Sequence, residues 1–414
     1  MKKAFIFCFP AVLFLWLCLA GAVHAQRVKL GIDVLCEQQF SLLDGQRIGL
    51  ITNQTGVDSR LRSTIDLLHE APNVKLVALF SPEHGVRGNI HAGDNIDTST
   101  DSKTGLPVYS LYGKTRKPTK KMLENIDVLV YDIQDIGCRS YTFISTMGFA
   151  MEAAGENNIS FVVLDRPNPL GGEKIEGNRV HNGFSSFVSQ FKIPYLYGQT
   201  CGELAMMLNE EKMLSASCRL TVVPMRGWKR SMRWEDTGLE WVPASPHIPH
   251  ANSTVFYPMT GILGELGYLS IGIGYTLPFE LVGAPWLDAE LLAAAMNSLN
   301  LQGIHFRPIH FKPFYATFKG ENCQGIQIHV TDYAKAHLAE VQFYVIQEIS
   351  RLYPSHAVFA YADKARFAMF DKVCGSDFVR TTLSESGTYN SIQSFWEKDV
   401  DAYRRLSSKY YLYR

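Results

Sequence analysis

Glu83 and His84 lie in the decapeptide Leu79-Phe80-Ser81-Pro82-Glu83-His84-Gly85-Val86-Arg87-Gly88, whose character changes abruptly at the proline. Upstream, Val74 to Phe80 is a run of apolar, β-favouring residues. Pro82 cannot donate to a sheet ladder, so the strand is expected to end at Ser81 or just before it. Gly85 and Gly88 let the backbone turn tightly or approach a ligand closely. A carboxyl, an imidazole and a guanidinium thus reach a strand end, where open α/β sheets bind ligands. Taken alone, the loop reads more readily as a solvated turn whose glutamate caps a following helix.

The construction recurs along the chain. Arg47 to Thr52 reads as a strand ending in Asn53-Gln54-Thr55-Gly56. Asp127 to Tyr131 runs into Asp132-Ile133-Gln134-Asp135-Ile136-Gly137-Cys138-Arg139-Ser140-Tyr141, and Ser160 to Leu164 ends in Asp165-Arg166-Pro167-Asn168. Between them, Ser63 to Glu70 reads as a short helix capped by Ser63 or Thr64, and Thr142 to Asn157 as a longer one. Alternating strands and helices imply a parallel sheet with right-handed crossovers. Such strands are buried on both faces, hence their continuous apolar runs. All four polar groups then share one rim and form a candidate site. A long connection, 89 to 118, is functional or flexible by its length and contains Thr115-Arg116-Lys117-Pro118.

Further along, Cys201 to Asn209 reads as a helix and Leu220 to Met225 as a strand, followed by the proline-rich Ser245-Pro246-His247-Ile248-Pro249-His250. Beyond a boundary near Pro258 to Gly261 come a helix (Asp288 to Asn297), a strand pair (Ile304 to Phe318, Gly325 to Val330) and a long helix (Tyr333 to Leu352). The fold class is therefore α/β, with a parallel-sheet domain expected over 26–258 and a smaller α/β domain over 259–414.

With 414 residues, two domains is the natural expectation. Lys+Arg and Asp+Glu are balanced at 40 each, so composition gives no reason to expect nucleic acid or an anionic membrane as partner. Met1-Lys2-Lys3, an apolar run to about Ala22 and Val23-His24-Ala25 have the design of a secretory signal peptide, residues 1–25, cleaved before Gln26. No later segment is apolar for long enough to span a bilayer. Bulky Trp16-Leu17 before Cys18 disfavours lipid anchoring, so the expectation is a periplasmic protein. The remaining cysteines are scattered and are expected to be mostly buried thiols.

Several chemistries are weakened by what the chain lacks. No G-x-G-x-x-G follows the first strand and no P-loop is present, so no nucleotide cofactor is expected. Tyr268 occupies the first glycine position of a G-x-S-x-G elbow around Ser270. Glu83-His84 with His91 and Asp94 has only generic metal spacing, and no metal is expected. Carboxylate chemistry remains. Glycoside hydrolysis needs one protonated carboxyl for the leaving oxygen and a second group to assist water or attack the sugar. A glutamate after a proline, facing a cleft, fits the first role.

Read together, Leu50 to Gly56, Phe80 to Gly85, Gly105 to Gly113, Asp132 to Gly137 and Leu164 to Pro169 strongly resemble the exo-acting β-N-acetylmuramidases of peptidoglycan recycling, over nearly the whole mature chain. The resemblance implies a Rossmann-like domain, a smaller C-terminal domain and a cleft between them. It implies release of N-acetylmuramic acid from the non-reducing end of peptidoglycan-derived saccharides, without a cofactor. It maps the family glutamate onto Glu83 as general acid, with Asp132 or Asp135 as second catalytic group and Glu265 as an alternative. Muramic acid carries a lactyl carboxylate that an arginine fork matches, for which Arg87, Arg139 and Arg166 are candidates. His84, Asn53, Asn168, Tyr141 and Glu280 complete the substrate-binding set. The chain departs from the family at Glu265-Leu266-Gly267-Tyr268 and Gly272-Ile273-Gly274-Tyr275, where many members carry an asparagine and an arginine. Rival readings are a non-catalytic saccharide-binding protein and a hydrolase of another muropeptide bond.

Overall fold

The computed structural model describes residues 27–88 and 99–414. The expected leader, and His91 and Asp94 of the metal arrangement, lie outside the described residues. The first part of the chain forms strands β1 (Arg47–Thr52), β2 (Lys75–Ser81), β3 (Ser99–Thr100), β4 (Pro107–Ser110), β5 (Val128–Asp132) and β6 (Ser160–Leu164). The ribbon β7 (Ile175–Glu176) and β8 (Leu196–Tyr197) and strand β9 (Arg219–Val223) follow. The main sheet has the order β3-β4-β2-β1-β5-β6-β9, and every pairing except β3 with β4 is parallel. Helices α1 (Gly31–Glu37), α2 (Thr64–Glu70), α3 (Lys120–Leu123), α4 (Phe143–Glu156) and α5 (Cys201–Glu210) accompany it.

Both faces of the sheet are buried. Leu50, Leu79, Val130 and Val162 enter one apolar cluster, while Ile51, Phe80, Tyr131 and Phe161 enter another. Neighbouring residues of a strand point to opposite faces, so burial on both sides requires an unbroken apolar run. The parallel pairing puts the carboxyl ends of β1, β2, β5 and β6 on one rim, as the alternation predicts. The long connection after β2 proves to contain β4, which pairs parallel to β2; Pro107 takes its first position, where a missing N–H is tolerated.

The second part contains α6 (Ser253–Gly264), β10 (Leu281–Ala284), α7 (Ala289–Ser298), β11 (Ile304–Phe311), β12 (Cys323–Val330) and α8 (Val341–Leu352), then short helices between Val358 and Ser407. Its antiparallel sheet has the order β10-β12-β11. The residue expected to end the first domain, Pro258, lies inside α6. Buried Gln342 of α8 accepts from the Ile262 and Leu263 N–H groups and donates to the Pro258 carbonyl, completing the hydrogen bonding around the proline.

Two expected elements are shorter than their apolar patterns. The strand from Ile304 stops at Phe311, and Ala316 and Phe318 adopt positive φ in the turn that follows. The helix expected from Tyr333 begins only at Val341. Upstream, Lys174 Nζ donates to the Tyr333 and Ala336 carbonyls and Glu176 accepts from the Ala339 N–H, so side chains occupy backbone groups that a helix would have used. Cys36, Cys138, Cys201, Cys218, Cys323 and Cys374 are unpaired thiols, four of them buried. No helix among the described residues is long and apolar enough to cross a membrane.

Candidate active site

A cavity of about 380 Å³ opens at the rim beyond β2, β4 and β5. Glu83 and His84 enter it from the turn after β2, and Tyr112 and Arg116 from the loop after β4. Ser140, Tyr141, Thr142 and Phe143 come from the β5–α4 junction, Phe187 from the segment before β8, and Ser245, His247 and Ile248 from the proline-rich stretch. Tyr257, Glu265, Phe279, Met369 and Lys372 close it from the second part of the chain.

The turn carrying Glu83 is sharp. His84 has φ +74° and Gly85 φ +77°, and the Gly85 N–H bonds back to the Pro82 carbonyl at 3.2 Å. A left-handed histidine is costly unless its surroundings impose it, and such conformations cluster at functional sites. Gly88, also at positive φ, lies against Gln54: a Cβ there would come within 2.4 Å of the glutamine side chain. Gln54 Nε2 in turn donates to the Pro243 and Ala244 carbonyls at 2.8 and 3.1 Å. The strand-end loop of β1 therefore positions two cavity walls without itself lining the cavity.

Glu83 is half-buried and accepts from Thr142 Oγ1 at 2.9 Å. Thr142 holds the N-cap position of α4 but turns its hydroxyl to Glu83 rather than to the helix's own N–H groups. Glu265, the C-cap of α6, has its carboxyl raised above the ordinary range by burial, with Arg366 opposing weakly. It forms no ion pair among the described residues. Around these acids stands an aromatic wall: Tyr141 packs edge-on against Phe143 at 4.8 Å and Tyr257 at 5.7 Å, and Tyr257 against Phe279 at 4.9 Å. Burial pushes the Tyr141 hydroxyl far above the usual phenol range, keeping it a neutral donor. Ser245 lies close enough to influence that hydroxyl, yet no hydrogen bond of acceptable geometry forms.

The sequence-derived candidates thus divide. Glu83, His84, Tyr141 and Glu265 meet in the cavity. Asp132, Asp135, Asn53, Asn168, Arg139, Arg166, Arg87 and Glu280 are not among its lining residues. Asp132 is fully buried, gripped by Arg166 Nε at 2.6 Å and Nη2 at 2.9 Å and by the Thr64 hydroxyl. Arg166 also donates to the Val57 carbonyl at 2.7 Å. Asp135 accepts from the Gly137 N–H at 2.7 Å and from the Tyr197 hydroxyl. Asn53 Oδ1 closes its own turn by accepting from the Thr55 N–H, and Asn168 bridges the Gln199 carbonyl and the Leu170 N–H. Arg87 pairs with Asp101 at 2.8 Å, and half-buried Glu280 has its carboxyl raised by burial. Arg139 is buried among carbonyls: Asn178 and Ile193 at 2.7 Å, Val373 at 2.9 Å and Cys374 at 3.0 Å.

One physical reason covers Asp132 and Arg166, the buried ion pair of this second group. Where strand ends of a parallel sheet converge, a buried charge must find a partner, and neighbouring strand ends supply it. The departures from the family motif also lie off the cavity lining. Leu266 is core, Tyr268 packs on Trp286, and Tyr275 packs at a tilt against Phe311 and stacks on Phe314. Arg116, His247, Phe187, Met369 and Lys372 were not singled out by sequence. Only Arg116 and His247 had a signal, lying in a long glycine-containing loop and a proline-rich stretch respectively.

Burial lifts the Asp135 carboxyl from 3.8 to about 6, against hydrogen bonds from Tyr197 and Gly137 that lower it. The folded state therefore holds a proton between about pH 4 and 6 that the unfolded chain has released. Its contribution to stability is complete below pH 4 and is lost as pH rises through 6. Asp135→Asn, neutral throughout, should flatten this part of the profile. Urea midpoints of both proteins between pH 4 and 7 test it, and parallel profiles would refute it.

A parallel α/β sheet whose rim bears an aromatic cavity with two carboxyl groups provides what carboxylate-based hydrolysis requires. Residues 48–252 match the sequence family described as "Exo-beta-N-acetylmuramidase NamZ, N-terminal", and residues 255–413 its C-terminal counterpart. The chain belongs to this family. A relative from Bacillus subtilis (strain 168), "Peptidoglycan beta-N-acetylmuramidase NamZ", is 45% identical over 387 residues, covering 94% of this chain and 92% of its own. Among solved structures, a DUF1343 family protein from Bacteroides fragilis NCTC 9343 is 63% identical with a TM-score of 0.91, covering 94% of this chain and 99% of its own. A second protein of that family from the same organism is 28% identical with a TM-score of 0.73 and the same coverage.

Proposed function

We propose that the chain is an exo-β-N-acetylmuramidase that releases N-acetylmuramic acid from the non-reducing end of peptide-free saccharides derived from peptidoglycan. The observation that carries this reading is that Glu83 and Glu265 line one aromatic cavity, while Asp132 and Asp135 are committed to buried hydrogen bonds. Glu83 acts as general acid, giving its proton to the leaving oxygen, and Thr142 fixes the orientation of its carboxyl. Glu265 is the second carboxyl, assisting water or the developing positive charge on the sugar. Its raised pKa means that this service strengthens as pH increases and the group ionises. Tyr141, Tyr257 and Phe279 supply apolar faces for the sugar ring, and His84 a hydroxyl contact. No step calls on a cofactor.

The test is a time course on a reducing-end-labelled tetrasaccharide of alternating muramic acid and N-acetylglucosamine. Free muramic acid and a labelled trisaccharide should appear first. Disaccharide as first product would show endo cleavage, binding without turnover would favour the saccharide-binding rival, and peptide release from muropeptides would favour the third reading. The proposal includes export, for which the leader-like residues 1–25 are the support. Terminal sequencing of the periplasmic protein should begin at Gln26, and an uncleaved cytoplasmic chain would exclude it.

A further inference from the structure

The muramidase reading, on which this inference rests, needs a cation for the lactyl carboxylate, and the arginines offered by the strand-end motifs are engaged elsewhere. Arg87 is taken by Asp101, Arg139 by backbone carbonyls and Arg166 by Asp132. Two other cations line the cavity: Arg116, from the loop after β4, and Lys372, from the helix Phe367–Cys374. Neither forms an ion pair among the described residues. We propose that Arg116 and Lys372 together bind the free lactyl carboxylate of the muramic acid residue.

The surroundings of Arg116 are built for this. Its guanidinium carbon lies 4.5 Å over the ring of Phe187. Phe187 is itself anchored: its carbonyl accepts from Ser145 Oγ of α4 at 2.7 Å, and its ring packs on Phe149 at 6.2 Å and Tyr112 at 6.0 Å. A guanidinium held by its face keeps its N–H groups in the plane, and that edge is the fork that matches a carboxylate. Lys372 adds a compact charge from the second part of the chain, so both parts contribute to one anion subsite. Both side chains are exposed, and neither charge carries a burial cost before substrate arrives. The same logic sets the specificity: a sugar without the lactyl group, or with that carboxyl converted to an amide, forfeits the contact.

The test compares two β-glycosides with one chromogenic leaving group, N-acetylmuramic acid and its lactyl carboxamide. In wild type, kcat/KM should favour the carboxylate. The preference should fall about 10- to 100-fold in Arg116→Gln and further in Arg116→Gln with Lys372→Gln, mostly through KM, with partial recovery in Arg116→Lys. An unchanged preference in the double variant overturns the assignment. Calorimetric binding of free N-acetylmuramic acid against N-acetylglucosamine separates the two levels of the argument. If wild type turns over neither glycoside but binds the acidic sugar, and the double variant does not, the subsite stands and the hydrolase reading falls. Equal binding of both sugars by wild type sinks the subsite.

Discussion

Glu83→Gln should lower kcat on a muramic acid–N-acetylglucosamine disaccharide by about 100- to 10,000-fold, the range that one positioned acid contributes. The amide has nearly the same shape and can still accept from Thr142 Oγ1, so the fold should be retained and KM little altered. The leaving group makes the experiment diagnostic. An N-acetylglucosamine hydroxyl departs poorly without a proton, whereas a nitrophenolate needs little help. The loss should therefore be large on the disaccharide and much smaller on the nitrophenyl glycoside. Equal losses on both would mean that Glu83 acts at another step. A full loss of activity in Glu265→Gln on both substrates fits its assigned role, since assistance to water or sugar is needed whatever departs.

Asp132→Ala should cost about 3–5 kcal/mol of stability, because it leaves the Arg166 guanidinium buried without its carboxylate. The side chains of the pair are only 3% and 0% exposed, so water cannot take over. Thr64 loses its acceptor at the same time. Denaturant midpoints measure the loss, and kcat of the remaining folded enzyme should stay close to wild type. A stable but inactive Asp132→Ala protein would return Asp132 to the chemistry. Replacing both partners, Asp132→Leu with Arg166→Met, should cost less than the single change, since no charge is then stranded.

These two residues mark how far the sequence could be read. The parallel sheet was legible because two-sided burial writes itself as apolar runs such as Leu76 to Phe80, and Pro82 marks where one of them ends. The rim followed from the parallel pairing. What each rim residue faces did not follow: Asp132 is the last residue of β5, where Arg166 from the β6 loop and Thr64 enclose it, whereas Glu83 lies two residues past the end of β2, in the turn that opens on the cavity. The far wall was illegible for another reason. Phe187, Met369 and Lys372 are brought to the cavity by long-range packing, and no local pattern distinguishes them from ordinary surface or core residues. The helix expected from Tyr333 failed in the same way, through Lys174 and Glu176, more than 150 residues away.

Arg139 carries a last consequence. Its donors are divided between carbonyls at 178 and 193 and carbonyls 234 and 235 positions further along than itself. The two family segments are thus mortised together by one cation that neither can satisfy alone. An engineered exchange of one half between relatives should therefore succeed only if the incoming half presents the matching carbonyl socket to Arg139.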